Sequence, residues 1–590
     1  MKNVQTTKKF NRLLTEFGEN FNVENWSVYP RPMLKRDSFF CLNGEWDFAV
    51  CENFKNDFLD KTALETVGFF KDKIIVPFAP ESILSGIEKV FSEKFARIYR
   101  KTFVLPKDFI KDRVLLHFGA VDQVAKVYLN GTLVGEHVGG YIPFTIDITK
   151  TLQPDNTLIV EVYDNLSNLV LPYGKQSVKR GGMWYTPVSG IWQSVWLESV
   201  SEKYVKDLYA YYENGKVHFE ITGVKNATIK IQTPNGEIEC STQTGKACVE
   251  ITEPNFWSPE NPYLYNYTVE TECDLVCSYF AIRTLTIKNV NGKSRLCLNG
   301  KPYFFHALLD QGYWSDGIFT PASPKAFTEE LQRVKALGFN TLRKHIKIEP
   351  QIFYAECDRL GIIVWQDMIN NGDYSFIRDT ALPTIGFISR KDKNLHKDNP
   401  TRQAFLQTME QTVKTLKKHP SVCYWTIFNE GWGQFESQKA YEMLKRLDNT
   451  RFIDTTSGWF RCGESSVDSY HVYFKKLNVN PKQRDTDKPI VVSEFGGYVY
   501  YIKENSFNPY KIYGYGKCKT REAFVERLRS LYLEQVLPSI KNGLCATVYT
   551  QVSDVEDETN GLFTYDRKKA KILPEEFIDI SQKLQSAITE

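Results

Sequence analysis

Residues 422–434 read VCYWTIFNEGWGQ. Seven apolar or near-apolar residues, Val422 to Phe428, run straight into Asn429 and Glu430, and Gly431 and Trp432 follow. A run of this length without polar alternation reads as a strand buried on both faces. The segments around it repeat the theme. A helical pattern over residues 401–418 precedes it, and "IIVWQDM", "FNTLRKH" and "PYFFHALLDQ" are earlier strands. "EPQIFYAECDRLG" and "SPKAFTEELQRVKALG" are amphipathic helices between them, the second with Pro324 near its start and Gly338 past its end. "FIDTTSG", "VDSYHVY", "PIVVSEFGG" and "CATVYTQVSD" add four more strands. Eight strands, most separated by helices or helix-length segments, fit a (β/α)8 TIM barrel over residues 288–590.

The chain before the barrel reads differently. Up to residue 200, short alternating runs such as "RVLLHF", "FTIDIT" and "NTLIVEVYDN" are broken by turn signals, with Asn130-Gly131 a hairpin turn. This predicts a jelly-roll-like antiparallel β-sandwich over residues 1–200. Residues 201–287 continue as β in a smaller unit. "KVHFEITGV", "ATIKIQT", "LYNYTVET" and "SYFAIRTLTI" suit a seven-strand immunoglobulin-like sandwich.

The 590-residue length suits several domains. A formal charge of +3 gives no field that would recruit nucleic acid or an acidic membrane. The stretch "MKNVQTTKKFNRLLTEFGENF" has no apolar run long enough for a signal peptide, and no segment approaches the roughly 18 apolar residues of a membrane span. The twelve cysteines are scattered without CxxC pairs. They read as free thiols of a cytoplasmic protein rather than a disulfide framework. No metal-like His/Cys spacing occurs, and no metal or cofactor is expected.

In this barrel class the active site lies at the C-terminal ends of the strands. The polar residues predicted there are Asp310, Arg343, His345, Asp367, Asn429, Glu430, Trp459, His471, Tyr473, Glu494, Tyr549 and Gln551. Glu430 and Glu494 end the fourth and seventh strands. Each follows a buried run, where an isolated carboxylate is costly, and each has glycine close behind it, which lets a ligand approach the backbone. Taken singly, either glutamate also reads as a structural ion-pair member. Two carboxylates from different strands facing one cleft suit glycoside hydrolysis, one as proton donor and one as nucleophile.

"YWTIFNEGWGQ" together with "VVSEFGGY" resembles glycoside hydrolase family 2, the β-galactosidase and β-glucuronidase family. The resemblance extends to "GEWDFAV", "VPFAPES" and "VGEHVGGYIPF" in the first domain, "WSPENPYLY" in the second and "YTQVSDVEDETNGLFTYDRK" in the barrel. It implies a retaining, exo-acting β-glycosidase, galactosidase-like, working by double displacement. Glu430 matches the acid/base, Glu494 the nucleophile and Asn429 the residue that bonds the sugar 2-hydroxyl. Tyr473, with Tyr470 as rival, resembles the tyrosine that bonds the nucleophile. Arg343 matches an arginine that supports it. The resemblance also implies a carbohydrate partner and frequent self-association into homo-oligomers.

The sequence departs from the family at several places. His345 stands one position early against the family's Arg-x-x-His-Tyr-Pro and reads equally as a sugar contact or a structural histidine. Leu309-Asp310 replaces an Arg-His. Asp310 reads as a sugar ligand or a loop cap, and Asp367 as a similar candidate. Trp314, Trp432 and Trp459 are candidates to stack on sugars. The family's glucuronidases carry Asn-x-Lys before a "GIFT"-like stretch; here Glu558-Thr559-Asn560 stands there, and Glu558 would repel a uronate. A β-uronidase is the alternative, with Lys344 or Lys347 as substitute charges; a silent carbohydrate-binding protein is the rival from another class. Gly181-Gly182 precede Met183-Trp184 where metal-dependent galactosidases place an aspartate.

Overall fold

The computed structural model describes residues 10–52, 69–388, 391–473, 475–479 and 487–590; the first nine residues of the N-terminal stretch read above lie outside them. The first unit is a sandwich of two antiparallel sheets. One has four strands in the order Phe39–Cys41, Val195–Val200, Arg113–Phe118, Phe144–Asp147. The other has six, and its inward residues Trp46, Phe48, Tyr99, Val127 and Val160 share one core with Leu116, Phe118 and Leu197 of the first. Alternation in strands such as Val124–Leu129 is the cause: every second side chain is buried. The second unit packs a three-strand sheet on a four-strand sheet around Val217, Phe219, Ile229 and Tyr267, which makes seven strands.

The strand Leu285–Val290 crosses the limit expected at residue 287 and pairs with Lys293–Leu298. This hairpin lies under the barrel floor, where Arg295 donates to the carbonyl of Leu544 at 3.2 Å.

The barrel strands are β1 (Phe305–Asp310), β2 (Thr341–Lys344), β3 (Ile363–Asp367), β4 (Val422–Asn429), β5 (Phe452–Ser457), β6 (Asp468–Val472), β7 (Ile490–Gly496) and β8 (Leu544–Thr550). They pair in parallel in the order β5-β4-β3-β2-β1-β8-β7-β6. Side chains bridge β6 to β5: the Ser469 hydroxyl donates to Asp454 at 2.9 Å. No helix separates β5 from β6, so that connection departs from the strict βα alternation.

The interior is aromatic at its floor. Phe305 of β1 meets Phe452 of β5 across the barrel at 6.2 Å, and Trp365 of β3 stacks on Tyr424 of β4 at 4.0 Å. Every residue of β4 is buried. Tyr424 is covered by Trp365, and Phe428 stacks on Phe405 of helix α3. The helices α1 (Pro324–Ala336), α2 (Gln351–Leu360) and α3 (Asn399–Leu416) follow the expected signals. In α1, Ser323 caps the first turn and Phe327, Leu331 and Val334 recur at helical spacing on the buried face. Gly338 then turns the chain at φ +90°.

One loop of the first sandwich reaches the barrel mouth. The Tyr173 and Gly174 amides donate to the carbonyl of Asn370 in the loop after β3, at 3.1 and 3.2 Å, and the Tyr173 hydroxyl donates to Gly372 O at 2.7 Å. The chain then doubles back, with Tyr185 N donating to Lys175 O at 3.0 Å.

Candidate active site

β4 delivers Asn429 and, one residue past the strand, Glu430. Glu430 sits at φ +54°, its amide held by Ser457 O at 3.0 Å. β7 delivers Glu494 from the far side of the mouth. The two carboxylates meet at His471 of β6. Its Nδ1 lies 2.9 Å from Glu430 Oε1 and 3.5 Å from Glu494 Oε2, and its Nε2 lies 3.1 Å from the Ser457 hydroxyl. An oxygen of each carboxylate and the histidine nitrogen all fall within 4.8 Å of one another. That spacing suits the roughly 5–5.5 Å between carboxyl groups in retaining glycosidases, and is shorter than the roughly 6.5–9.5 Å of inverting ones.

The surroundings of the two carboxylates differ. Glu494 accepts from Arg343 Nη1 at 3.1 Å and from the Tyr473 hydroxyl at 2.6 Å. Burial would raise its carboxyl, but His471, Arg343, His345 and the Tyr473 hydrogen bond outweigh burial and hold it well below the ordinary carboxylate range. Glu430 is the more open, with 14% of its side chain exposed against 6% for Glu494. It opens on a cavity of about 460 Å³ that Trp459, Tyr473, Tyr513 and Tyr515 also line.

Arg343 is fully buried and joins four partners. It donates to Glu494, to Ser493 O at 2.8 Å, to Asn429 Oδ1 at 2.8 Å and to Asp367 at 3.0 Å. The bond to Asn429 fixes its amide, so Nδ2 is the group left to donate. Asp367 also meets His345 Nδ1 at 2.7 Å. Burial is the largest influence on His345 and lowers its imidazole below the usual value, against the pull of Asp367.

The structure thus brings Asn429, Glu430, Arg343, His345, Asp367, Tyr473 and Glu494 together. Between the rival tyrosines, Tyr473 meets Glu494, while the Tyr470 hydroxyl donates to Asp468 at 3.2 Å. Trp459 borders the cavity and donates from Nε1 to the carbonyl of Glu430 at 3.0 Å. Glu558 is buried, accepting from Tyr185 at 2.5 Å and Asn560 at 3.0 Å.

Several expectations are corrected. Tyr549 is fully buried and faces away from the mouth: its ring packs on Phe495 and its hydroxyl accepts from Tyr498 N at 3.1 Å. The next residue, Thr550, faces Tyr473 at 2.9 Å, so the strand register puts the neighbour into the site. Asp310 holds Lys344 Nζ at 2.6 Å and the Gly312 amide at 2.8 Å, which makes it an ion-pair member at the strand end rather than an open sugar ligand. Lys344 and Lys347 both bind Glu349, at 2.8 and 2.9 Å, and have no freedom to supply a charge to substrate. The space beside Gly431 and Gly496 is filled by the protein itself: a Cβ there would lie 2.2 Å from the Phe460 ring and 2.3 Å from the Tyr549 ring. Trp314 is buried beside Phe327 and under Arg567, and Trp432 is buried among Tyr173 and Trp184.

His471, Thr550, Tyr185 and Lys175 complete the surroundings; His471 stood in the set predicted at the strand ends without a role, and the other three were not chosen from sequence. His471 carried a signal, since it lies two residues before Tyr473 and so on the same side of the chain. Tyr185 and Lys175 come from the sandwich, and only its docking brings them here.

Known proteins share this architecture. The model for glycosyl hydrolases family 2, TIM barrel domain, matches residues 289–576. The glycosyl hydrolase 2 galactose-binding domain-like model matches 85–176, and a further glycosyl hydrolases family 2 model matches 202–283. A β-galactosidase of Thermoanaerobacter pseudethanolicus is 25% identical over 503 residues, spanning 78% of this chain and 61% of that protein, so the chain spans less than two thirds of that relative. In fold, the chain is similar to a β-glucuronidase of an uncultured Clostridium sp. at 18% identity and TM-score 0.71, covering 95% of this chain and 99% of that one. It is also similar to a β-galacturonidase of Eisenbergiella tayi bound to galacturonate, at 17% identity and TM-score 0.65, covering 94% and 98%. Three matched models in this order along the chain, ending on a barrel whose mouth holds Asn429, Glu430 and Glu494, make the protein a member of glycosyl hydrolase family 2.

Proposed function

We propose that the protein is a retaining, exo-acting β-glycosidase that removes a terminal β-linked sugar by double displacement. The observation that carries this is the pair Glu430 and Glu494 facing one another across His471, with Arg343 and Tyr473 both donating to Glu494. Glu494 attacks the anomeric carbon while Glu430 gives its proton to the departing glycosidic oxygen. In the second step Glu430 takes a proton from water, the water oxygen bonds to the anomeric carbon, and Glu494 leaves as carboxylate. Asn429 Nδ2 is placed to bond the sugar 2-hydroxyl, a contact that strengthens in the transition state. The mechanism uses no cofactor and no metal.

We read the sugar as galactose-like, because Glu558 and Asn560 stand where an Asn-x-Lys would bind a uronate. A β-galacturonidase or β-glucuronidase is the second reading, favoured by Lys175. The proposal keeps the three units expected at residues 1–200, 201–287 and 288–590, with the second limit moved back so that the hairpin beginning at Leu285 goes with the barrel, together with a cytoplasmic setting, self-association, and no nucleic-acid or membrane partner. All twelve cysteines are free, which supports a reducing compartment, and no helix of the described residues is long and apolar enough to cross a membrane. A panel of chromogenic aryl β-glycosides tests the activity, and proton NMR of the first-formed anomer tests retention. Turnover that survives both Glu430→Ala and Glu494→Ala, or an inverted first product, overturns the reading.

A further inference from the structure

The buried lysines near the barrel mouth, Lys175, Lys344 and Lys347, divide into two kinds; Lys475 and Lys476, which also line the cavity, are exposed. Lys344 and Lys347 are neutralised by Asp310 and Glu349 at 2.6–2.9 Å. Lys175 is buried at 8% exposure, yet its ammonium has no hydrogen bond or ion pair among the described residues. Its Nζ lies over the Trp184 ring, 5.7 Å from the centroid. An ammonium with no carboxylate in direct contact is open to an incoming anion, since an aromatic face offers it only about 0.5–2 kcal/mol.

The position of Lys175 is built rather than accidental. The two residues before it are tied to the loop after β3 through Asn370 and Gly372. Gly174 has φ +65° and lies so close to the Ile346 carbonyl, just after β2, that a Cβ would sit 2.8 Å from it. The carbonyl of Lys175 is held by Tyr185 N at 3.0 Å. The charge of Lys175 is felt by His345, behind Asp367, and by Glu558, the buried acid at the Asn-x-Lys position. It therefore stands near Glu558 and His345, beside the loop where the lysine of the barrel is missing.

We propose that Lys175, contributed by the sandwich and not by the barrel, is the anion-binding residue of the substrate site and takes the carboxylate of an acidic sugar. This rests on the glycosidase reading above and takes its second sugar reading, the uronides, over the galactose-like one. Glu558 is compatible with such a ligand. Burial is the largest influence on its carboxyl and raises it above the ordinary value, outweighing the donors Tyr185 and Asn560 and the charge of Lys175, which favour the ionised form.

The test measures kcat/KM for 4-nitrophenyl β-D-galacturonide, β-D-glucuronide and β-D-galactoside in the wild type, Lys175→Met and Lys175→Gln. One of the two uronides is expected to be the better substrate of the wild type. Both variants should lower the uronide-to-galactoside ratio at least about 30-fold, chiefly through KM, as expected when one partner of a buried charge pair is removed. A wild type that turns over galactoside but neither uronide overturns the proposal and leaves the glycosidase reading standing. So does an unchanged ratio in the variants. If no aryl glycoside is turned over, the glycosidase reading has failed, and calorimetric titration with galacturonic acid, glucuronic acid and galactose then decides Lys175. Tighter binding of either acid than of galactose, lost in the variants, supports the proposal; equal binding overturns it. Melting curves of the variants establish that they are folded.

Discussion

Tyr473 holds its hydroxyl 2.6 Å from Oε2 of Glu494, reaching from the end of the sixth strand to the seventh. The same carboxylate receives Arg343 on its other oxygen. Together they favour the ionised form, and Tyr473→Phe removes one donor while leaving the ring to stack on Tyr515 at 4.4 Å. The expected result is a fall of about 10-fold or more in kcat/KM and an acid limb displaced to higher pH. The sign follows from the lowered carboxyl of Glu494. Its ionised form persists well below the ordinary carboxylate value of about 4.3, and losing a donor moves the titration back toward that value. By linkage, the stability it contributes is present above about pH 4.3 and is lost as pH falls through its lowered native value. A kcat/KM–pH profile of the two proteins is the measurement; an unshifted acid limb would show that Tyr473 does not govern Glu494.

The two glutamates should fail in different ways. Glu430→Ala removes proton donation, so substrates with poor leaving groups should lose about 10²–10⁴-fold, while a dinitrophenyl glycoside keeps its first step. Added azide should rescue the second step of that variant and give a β-glycosyl azide. Glu494→Ala should lose at least about 10³-fold on every substrate, and azide should give the α-azide instead. Product anomers by NMR distinguish the two, and identical azide products from both variants would reverse or cancel the assignment.

Tyr549 provides a control drawn from a corrected expectation. Its hydroxyl accepts from Tyr498 N behind the strand, away from the carboxylates. Tyr549→Phe is expected to cost about 1 kcal/mol of stability, read as a lower melting temperature, and to change kcat/KM less than about threefold. A large loss of activity in a folded variant would return Tyr549 to the site.

Gly431 separates two explanations for a glycine beside Glu430. Its φ is +73°, and a Cβ would fall 2.2 Å from the Phe460 ring. Gly431→Ala should destabilise the protein by about 1–3 kcal/mol and lower its melting temperature. Phe460→Ala in the same background should recover part of that loss, because the ring that blocks the methyl is gone. If the melting temperature is unchanged and only substrate affinity falls, the glycine serves the ligand instead.

The barrel was readable because its strands carry long apolar runs and its helices carry caps and breakers, as at Ser323 and Gly338. The carboxylates were readable because they interrupt those runs. Whether Tyr549 or Thr550 faces the mouth was not, because a one-residue choice of register inverts the answer and both residues suit a strand end. Asp310 was misjudged for a related reason. Its partner Lys344 is in the sequence, but their ion pair exists only once β1 and β2 lie side by side. Lys175 lay furthest from view. Nothing local marks it, and it acquires meaning from Ile346 and Asn370, 171 and 195 residues away, against which its loop is pinned.

That pinning bears on how specificity is inherited. A chain begun at residue 288 would still contain both carboxylates, His471, Arg343 and Tyr473. It would lack the wall formed by Tyr173, Lys175 and Tyr185. With Lys175 in its proposed role, chemistry and selectivity come from different units of one polypeptide. Exchange of the sandwich between relatives would be expected to transplant sugar preference onto an unaltered reaction centre.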